Sequence, residues 1–341
     1  MKQAIRAKAL AFGFDAVAVA RADAPLDEPF AHYEAFLDAG MHGPMAYLAN
    51  HREVRRALAT PAILEGARSV ICLAQRYASR TAEGSGVVDR IARYARGRDY
   101  HGFLRRSLRK FADFVASLEP GAQARAMCDT APVLERAWAA RSGLGFIGKN
   151  GMLIIPGMGS YVLLGEVVTT IAIEPDRPQP QRCGACESCL KSCPTGALVR
   201  PHVLDARLCI STLTIEQRGP WDPAIEARVG PRIFGCDACI EVCPFNASPK
   251  ARIPEGSAYD PLAHWRQRTL ASLLEVPQEE LFPLLESSPL RRPGIEGLRR
   301  NLIVAAGNSG DPALRESLTR LRERLEDGWL REVADRAMGR V

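Results

Sequence analysis

Apolar positions change spacing several times along the chain, and each change marks an element. Lys2 to Phe12 carries apolar residues at helical spacing, Phe14 to Val19 reads as extended, and Pro29 to Ala39 returns to helix. Ser69 to Ala74 is a short buried strand. From His101 to Leu118 the set Phe103, Leu104, Leu108, Phe111, Phe114 and Val115 lies on one helical face. A strand over Ala124 to Cys128 and a helix over Pro132 to Ser142 follow. Met152 to Ile155 and Tyr161 to Ile173 read as paired strands around a Pro-Gly-Met-Gly-Ser turn. The alternation predicts an α/β domain over residues 1–174.

The pattern changes again after a proline-punctuated connection, Glu174 to Arg182. Residues 175–250 hold little periodicity. Residues 251–341 are dominated by amphipathic helices over Leu262 to Leu285 and Gly297 to Met338. Leu298, Leu302, Ile303 and Ala306 share one helical face, and Gly307 to Pro312 stops that helix and starts the next. Paired helices of this kind resemble HEAT-type repeats.

The middle region declares its chemistry through cysteine. Cys183, Cys186, Cys189 and Cys193 precede Pro194, and after a lone Cys209 come Cys236, Cys239 and Cys243, followed by Pro244. Three thiolates at such intervals hold one corner of an iron–sulfur cube, and the fourth, before proline, ligates the other cluster. The second run lacks its first cysteine, and Cys209 is the nearby replacement. Crossed ligation then assigns Cys183, Cys186, Cys189 and Cys243 to one 4Fe–4S cluster, and Cys209, Cys236, Cys239 and Cys193 to the other. Zinc sites or a disulfide framework are the alternatives that thiol spacing leaves open. Ferredoxin-type spacing and the Cys-Pro endings favour clusters.

At 341 residues and 47% hydrophobic content the chain can bury two or three domains. Met1 to Ala24 is broken by Arg6, Lys8 and Asp15, without the apolar core of an export signal. The apolar stretch Met152 to Ile173 contains Pro156 and Glu166, which argues against a membrane span. A cytoplasmic location and no membrane partner are expected. The net charge of +6 is modest, but Arg80 to Lys110 alone holds nine Lys/Arg against three Asp/Glu. With Tyr94, Tyr100, His101 and Phe103 interleaved, that stretch suits phosphates and stacked bases as well as it suits a solvated helix face.

Two further motifs carry candidate chemistry. Gly143-Leu-Gly145-Phe-Ile-Gly148 matches a dinucleotide fingerprint, yet it follows a helix and precedes strands, the reverse of the required context. These glycines are expected to end a helix and bring backbone close to another group. Asp129 sits at the end of a predicted strand, where it can serve as a proton donor whose pKa is raised by partial burial, or where Asp129 or Thr130 can cap the next helix. Cys72 and Cys128 read as buried structural thiols. Asp99-Tyr-His101-Gly102 approaches a corrinoid-ligand signature, but Leu104 stands in place of its glycine, so His101 is not taken as an axial ligand.

Taken in order, the cysteine runs, Ala92 to His101, Asp129-Thr-Ala-Pro-Val-Leu-Glu-Arg136, Gly143 to Asn150 and Ser288 to Asn301 resemble the epoxyqueuosine reductase family over nearly the whole chain. The resemblance implies an α/β corrinoid-binding domain, a ferredoxin-like module with two 4Fe–4S clusters, and an α-helical HEAT-like region that binds tRNA. It implies a cobalamin-dependent enzyme that reduces epoxyqueuosine to queuosine at the wobble position of a tRNA anticodon stem-loop. A monomer fed by an external one-electron donor of flavodoxin or ferredoxin type is expected. Asp129 falls on the family's catalytic proton donor. Asp129, Tyr94, His101, Lys149, Asn150 and Ser160 would contact cobalamin, and Arg291, Arg292, Arg299 and Arg300 would contact tRNA. A small-molecule corrinoid reductase of the dehalogenase kind is the alternative.

Overall fold

The computed structural model describes residues 1–78, 86–253, 256–326 and 328–341. In the N-terminal half the elements are α1 (Lys2–Ala11), β1 (Ala16–Arg21), α2 (Asp27–Asp38), α3 (Arg52–Arg56), β2 (Ser69–Arg76), α4 (Tyr100–Ala116), β3 (Ala124–Met127), α5 (Glu135–Arg141), β4 (Phe146–Ile147), β5 (Leu153–Ile154) and β6 (Val162–Thr169). Four strands form one sheet in the order β1-β2-β6-β3, and every pair is antiparallel. Helices and strands do alternate as the sequence suggests. The parallel strands of a doubly wound sheet are absent among the described residues, so the ligand-binding rule for such sheets does not apply here. The segments around the Pro-Gly-Met-Gly-Ser turn also part company: β5 joins β4, β6 inserts between β2 and β3, and Ile155 and Gly159 form an isolated bridge across the turn.

The sheet is covered on both faces, which explains why β2 is apolar without a break from Val70 to Ala74. Val70, Cys72 and Ala74 face a core shared with Ala18, Val168 and Trp138 of α5. Ile71 and Leu73 face Ile5 of α1 and Leu104, Leu108 and Phe111 of α4. Gly165 allows α4 to lie close, since a Cβ there would fall 2.6 Å from a Leu108 methyl.

The cysteine-rich region supplies α6 (Ser188–Lys191), β7 (Leu198–Arg200), β8 (Val203–Leu204), α7 (Ile210–Ile215), α8 (Pro223–Val229) and α9 (Ala238–Glu241). The C-terminal region adds α10 (Ala263–Arg266), α11 (Leu270–Glu275), α12 (Gln278–Leu284), α13 (Gly294–Gly307), α14 (Leu314–Arg324) and α15 (Trp329–Met338). One core joins the two: Ile210, Leu213, Val229 and Phe234 pack with Leu298, Leu302 and Leu318. At its centre α13 is buried on every side from Gly297 to Gly307, rather than along the single stripe read from the sequence.

That burial corrects the assignment of Arg299 and Arg300 to RNA. Arg300 is wholly buried and donates to the carbonyls of Leu213 at 3.1 Å, Gln217 at 2.9 Å and Gly219 at 2.6 Å, while its guanidinium lies 4.1 Å from the Trp221 ring centroid. Arg299 donates to the carbonyls of Leu274 at 3.2 Å and Val276 at 2.8 Å. Both satisfy carbonyls at and just beyond the C-terminal ends of α7 and α11, which have no partner within their own helix. Neither guanidinium is available to a phosphate.

Candidate redox active site

Beyond β3 the chain places Cys128 in the core and then turns sharply. Asp129 adopts φ of +46°, a left-handed conformation costing roughly 1 kcal/mol or more for a residue with a side chain. Its own contacts hold it there. The Asp129 backbone N–H donates to the Glu135 carboxylate, and His101 Nε2–H donates to Asp129 Oδ2 at 2.5 Å. The capping alternative fails, because α5 begins six residues later with Leu134 at its N-cap. Thr130 Oγ1 instead accepts from Arg105 at 2.5 Å.

His101 lies in the first turn of α4. Asp99 caps that helix by accepting from His101 N at 3.0 Å, and the same carboxylate oxygen stands 2.6 Å from His101 Nδ1. Tyr100 stacks on the imidazole with ring centroids 4.2 Å apart. Hydrogen bonds to Asp129 and then Asp99 push the His101 pKa up to about 9, so the ring is an imidazolium at neutral pH. Both of its nitrogens are committed to carboxylates, which leaves no lone pair for a metal. The Asp129 side chain is 49% exposed, so the burial expected from the sequence is not found, and the group that holds a proton beside it is His101.

A second acidic pair lies under this loop. Glu166 of β6 is completely buried, neither carboxylate oxygen has a hydrogen-bond partner, and burial, reinforced by Glu135, pushes its pKa well up. Burial also raises Glu135, to about 7. Burial pushes the Cys128 thiol to about 11, and Cys72 is buried too, so both are the structural thiols expected.

The other candidate residues fall into a neighbouring group. Tyr94 packs 6.2 Å from Tyr100 and 6.2 Å from Phe234, linking α4 to the cysteine region. Asn150 Nδ2 donates to the Cys239 carbonyl at 3.0 Å. Ser160 N–H donates to Asn246 Oδ1 at 2.7 Å, and Asn246 Nδ2 donates back to Ser160 Oγ at 3.0 Å. Lys149 faces Cys186, whose thiol is held below its ordinary value by hydrogen bonding to Ser188 with a smaller contribution from that ammonium. The glycines before Lys149 are close-packing positions: a Cβ on Gly143 would meet the Arg177 carbonyl at 2.1 Å, and one on Gly145 the Ile154 carbonyl at 2.4 Å. In the sequence Asp99, Tyr100 and Glu135 stand only as members of motifs, with no role at the site, and Asn246 is not marked at all. Asp99 is legible only as a neighbour of His101, Tyr100 reads as an aromatic of the basic stretch, and Asn246 carries no signal beyond its place after Cys243.

All ten cysteines are free thiols, so the disulfide alternative is not built. Cys189 lies on α6 and Cys239 on α9, and these two helices pack together. Besides burial, Cys189 feels the charges of Cys183 and Cys243, and Cys243 those of Cys183 and Cys186, whereas Cys239 feels Cys236, Cys209, Asp237 and Cys193. Cys183, Cys186, Cys189 and Cys243 are thus neighbours of one another, as are Cys193, Cys209, Cys236 and Cys239. Cys186 of the first set is exposed, and the second lies inward beside Tyr94 and Asn150.

On the C-terminal rim the carbonyl of Ser287 accepts from Asp99 N at 2.7 Å, which brings the turn carrying Arg291 and Arg292 to the site. Both arginines are exposed. The basic stretch from Arg80 to Lys110 divides: Arg80 lies outside the described residues, Arg93 and Arg96 are buried, and Arg106, Arg109 and Lys110 line the solvent face of α4. No helix among the described residues is long and apolar enough to cross a membrane.

A carboxylate–imidazolium pair beside a module carrying eight cysteines points to an iron–sulfur oxidoreductase. A 4Fe-4S double cluster binding domain model matches residues 182–246, and the model of epoxyqueuosine reductase QueG matches residues 58–130. The chain is 42% identical over 310 residues to the epoxyqueuosine reductase of Gloeobacter violaceus, covering 90% of this chain and 96% of that one. The structure resembles that of epoxyqueuosine reductase from Streptococcus thermophilus, with a TM-score of 0.85 at 26% identity, over 100% of this chain and 90% of the other. It also resembles a crystal structure of epoxyqueuosine reductase with an epoxyqueuosine-modified tRNA-Tyr stem loop, with a TM-score of 0.79 at 28% identity, over 99% and 98% of the two chains. The chain belongs to the epoxyqueuosine reductase family. The small-molecule alternative is not favoured.

Proposed function

We propose that this protein removes the epoxide oxygen of epoxyqueuosine at the wobble position of tRNA, with Asp129 and His101 supplying the proton and two 4Fe–4S clusters supplying electrons. What carries this reading is the Asp99–His101–Asp129 chain standing next to the two thiol sets. Loss of an epoxide oxygen as water consumes two electrons and two protons and leaves an alkene. A 4Fe–4S cluster passes one electron at a time, so two clusters suit stepwise delivery. Cys183, Cys186, Cys189 and Cys243 would hold the outer cluster, and Cys193, Cys209, Cys236 and Cys239 the inner one. Cys186, the exposed thiol of the outer set, marks the entry for an external one-electron donor.

Cobalamin would lie between Asp129, His101 and Tyr94 on one side and Lys149, Asn150 and Ser160 on the other. The residues fit such a group: Tyr94 and the stacked Tyr100–His101 pair offer flat ring surfaces suited to a macrocycle, and Lys149 offers a donor to a corrinoid's amide fringe. When bound, the corrinoid supplies a low-potential cobalt able to deliver electrons to an epoxide carbon. The chain's part is to hold the base, which an anticodon loop releases at low unstacking cost, and to keep a proton at His101 Nε2 and Asp129 Oδ2 for the departing oxygen. HEAT-like pairing of the C-terminal helices, with Arg291 and Arg292 at the rim, would position the stem-loop. The test is nucleoside mass spectrometry of epoxyqueuosine tRNA after anaerobic turnover. Queuosine should accumulate with wild type and not with Asp129→Ala. Unchanged epoxyqueuosine, with clusters and corrinoid both confirmed, would sink the assignment.

A further inference from the structure

Tyr47 is 45% exposed, an uncommon state for a large ring, and it stands at the rim of the site. It belongs to a short 3-10 turn, Ala46–Ala49, far in sequence from the other rim residues. Arg292 covers part of the ring, its guanidinium carbon 5.7 Å from the centroid. That arginine is braced twice: Glu216 accepts from its Nε at 3.2 Å, and Arg218 donates to its carbonyl at 2.7 Å. Asp129 is close enough for its charge to act on both Tyr47 and Arg292. The rim therefore offers an open aromatic surface and the Arg292 guanidinium beside the reacting position.

A second exposed ring provides contrast. Phe282 is 47% exposed with the Arg291 guanidinium carbon 4.5 Å from its centroid. Its helix, α12, also presents Glu279 and Glu280 to solvent, which repel phosphate.

We propose that Tyr47, backed by Arg292, is the stacking platform for an unpaired nucleotide adjacent to the base held at Asp129. The proposal rests on the tRNA reading above and adds the residue that receives the neighbouring base. An unpaired base presents a π-face whatever its identity, and a guanidinium beside the ring meets the intervening phosphate.

The test uses the cluster-reconstituted full chain and an anticodon stem-loop carrying epoxyqueuosine, with 2-aminopurine placed on either side of the modified base in turn. Wild type should quench the fluorophore at one of the two positions on binding. Tyr47→Ala should abolish that quenching and weaken binding roughly tenfold, within the range of a single base–aromatic stack, while leaving the salt slope unchanged. Tyr47→Phe should restore both. Arg292→Ala should lower the magnitude of the salt slope by roughly 0.7, the value for one phosphate on a single strand. Phe282→Ala should change neither affinity nor quenching. The proposal is overturned if Tyr47→Ala binds and quenches like wild type while wild type still reduces the epoxide. Quenching that depends on Tyr47 without epoxide reduction would support the platform and defeat the catalytic reading. No binding by wild type would defeat both.

Discussion

Replacing His101 with glutamine tests the proton source directly. In the structure the imidazolium bridges two carboxylates, 2.6 Å from Asp99 and 2.5 Å from Asp129. The rise from 6.5 to about 9 corresponds to a ceiling of roughly 3 kcal/mol at 1.36 kcal/mol per pKa unit. The Asp99 and Asp129 side chains are 41% and 49% exposed, and solvent screening brings the stabilisation to about 1 kcal/mol. Because the folded-state pKa is raised, this contribution is complete below pH 6.5 and disappears as pH rises through about 9. Urea titrations should therefore show wild type more stable than His101→Gln by about 1 kcal/mol at pH 6, with the gap closing by pH 10. Single-turnover reduction at pH 7 should slow by about 100-fold or more in the variant, the range for a positioned acid. Wild-type turnover should fall as pH passes about 9. A stability gap independent of pH, or an NMR titration placing His101 near 6.5, would refute the reasoning.

Glu166→Met should raise stability by about 1–3 kcal/mol, since it removes a buried carboxyl with neither oxygen partnered. Raised folded-state pKa values at Glu135 and Glu166 mean that wild type loses stability as pH climbs from 4.5 through about 7, and denaturation midpoints at pH 5 and 8 should differ less in the variant. Arg300→Ala leaves three carbonyls and the Trp221 face without their partner and should cost about 3 kcal/mol or more, with the salt dependence of stem-loop binding unchanged. A stable variant with a shallower salt slope would instead return Arg300 to the RNA surface. Cys209→Ser should lower the iron content from about eight to about four atoms per chain. Iron remaining near eight would show that Cys209 ligates neither cluster.

Much of the local structure was legible because burial leaves a period in the sequence. Leu104, Leu108, Phe111 and Val115 recur as one face of α4 and are buried as one face. The cysteine spacing was equally readable, since ligands from one short turn must follow each other at fixed intervals to reach one cluster. Residues brought together from separate elements were less so. Arg299 and Arg300 look like a cationic cluster in sequence, and only the fold aims them at carbonyls up to 87 residues away. Tyr47 gave no signal because an exposed ring interrupts no period.

From its sequence alone this protein's cysteine module and its run of C-terminal amphipathic helices could be read, because both are written in short-range spacing, whereas Asp129 entered as a candidate acid through the family resemblance. The tertiary structure alone decided that the sheet is antiparallel, that α13 is a buried hub, and that a histidine 28 residues before Asp129 holds the proton beside it. Periodicity states which side of an element avoids water, and it is silent on which distant partner meets that side. Proton placement depends on such partners, because a carboxylate or imidazole responds to the charges and burial around it.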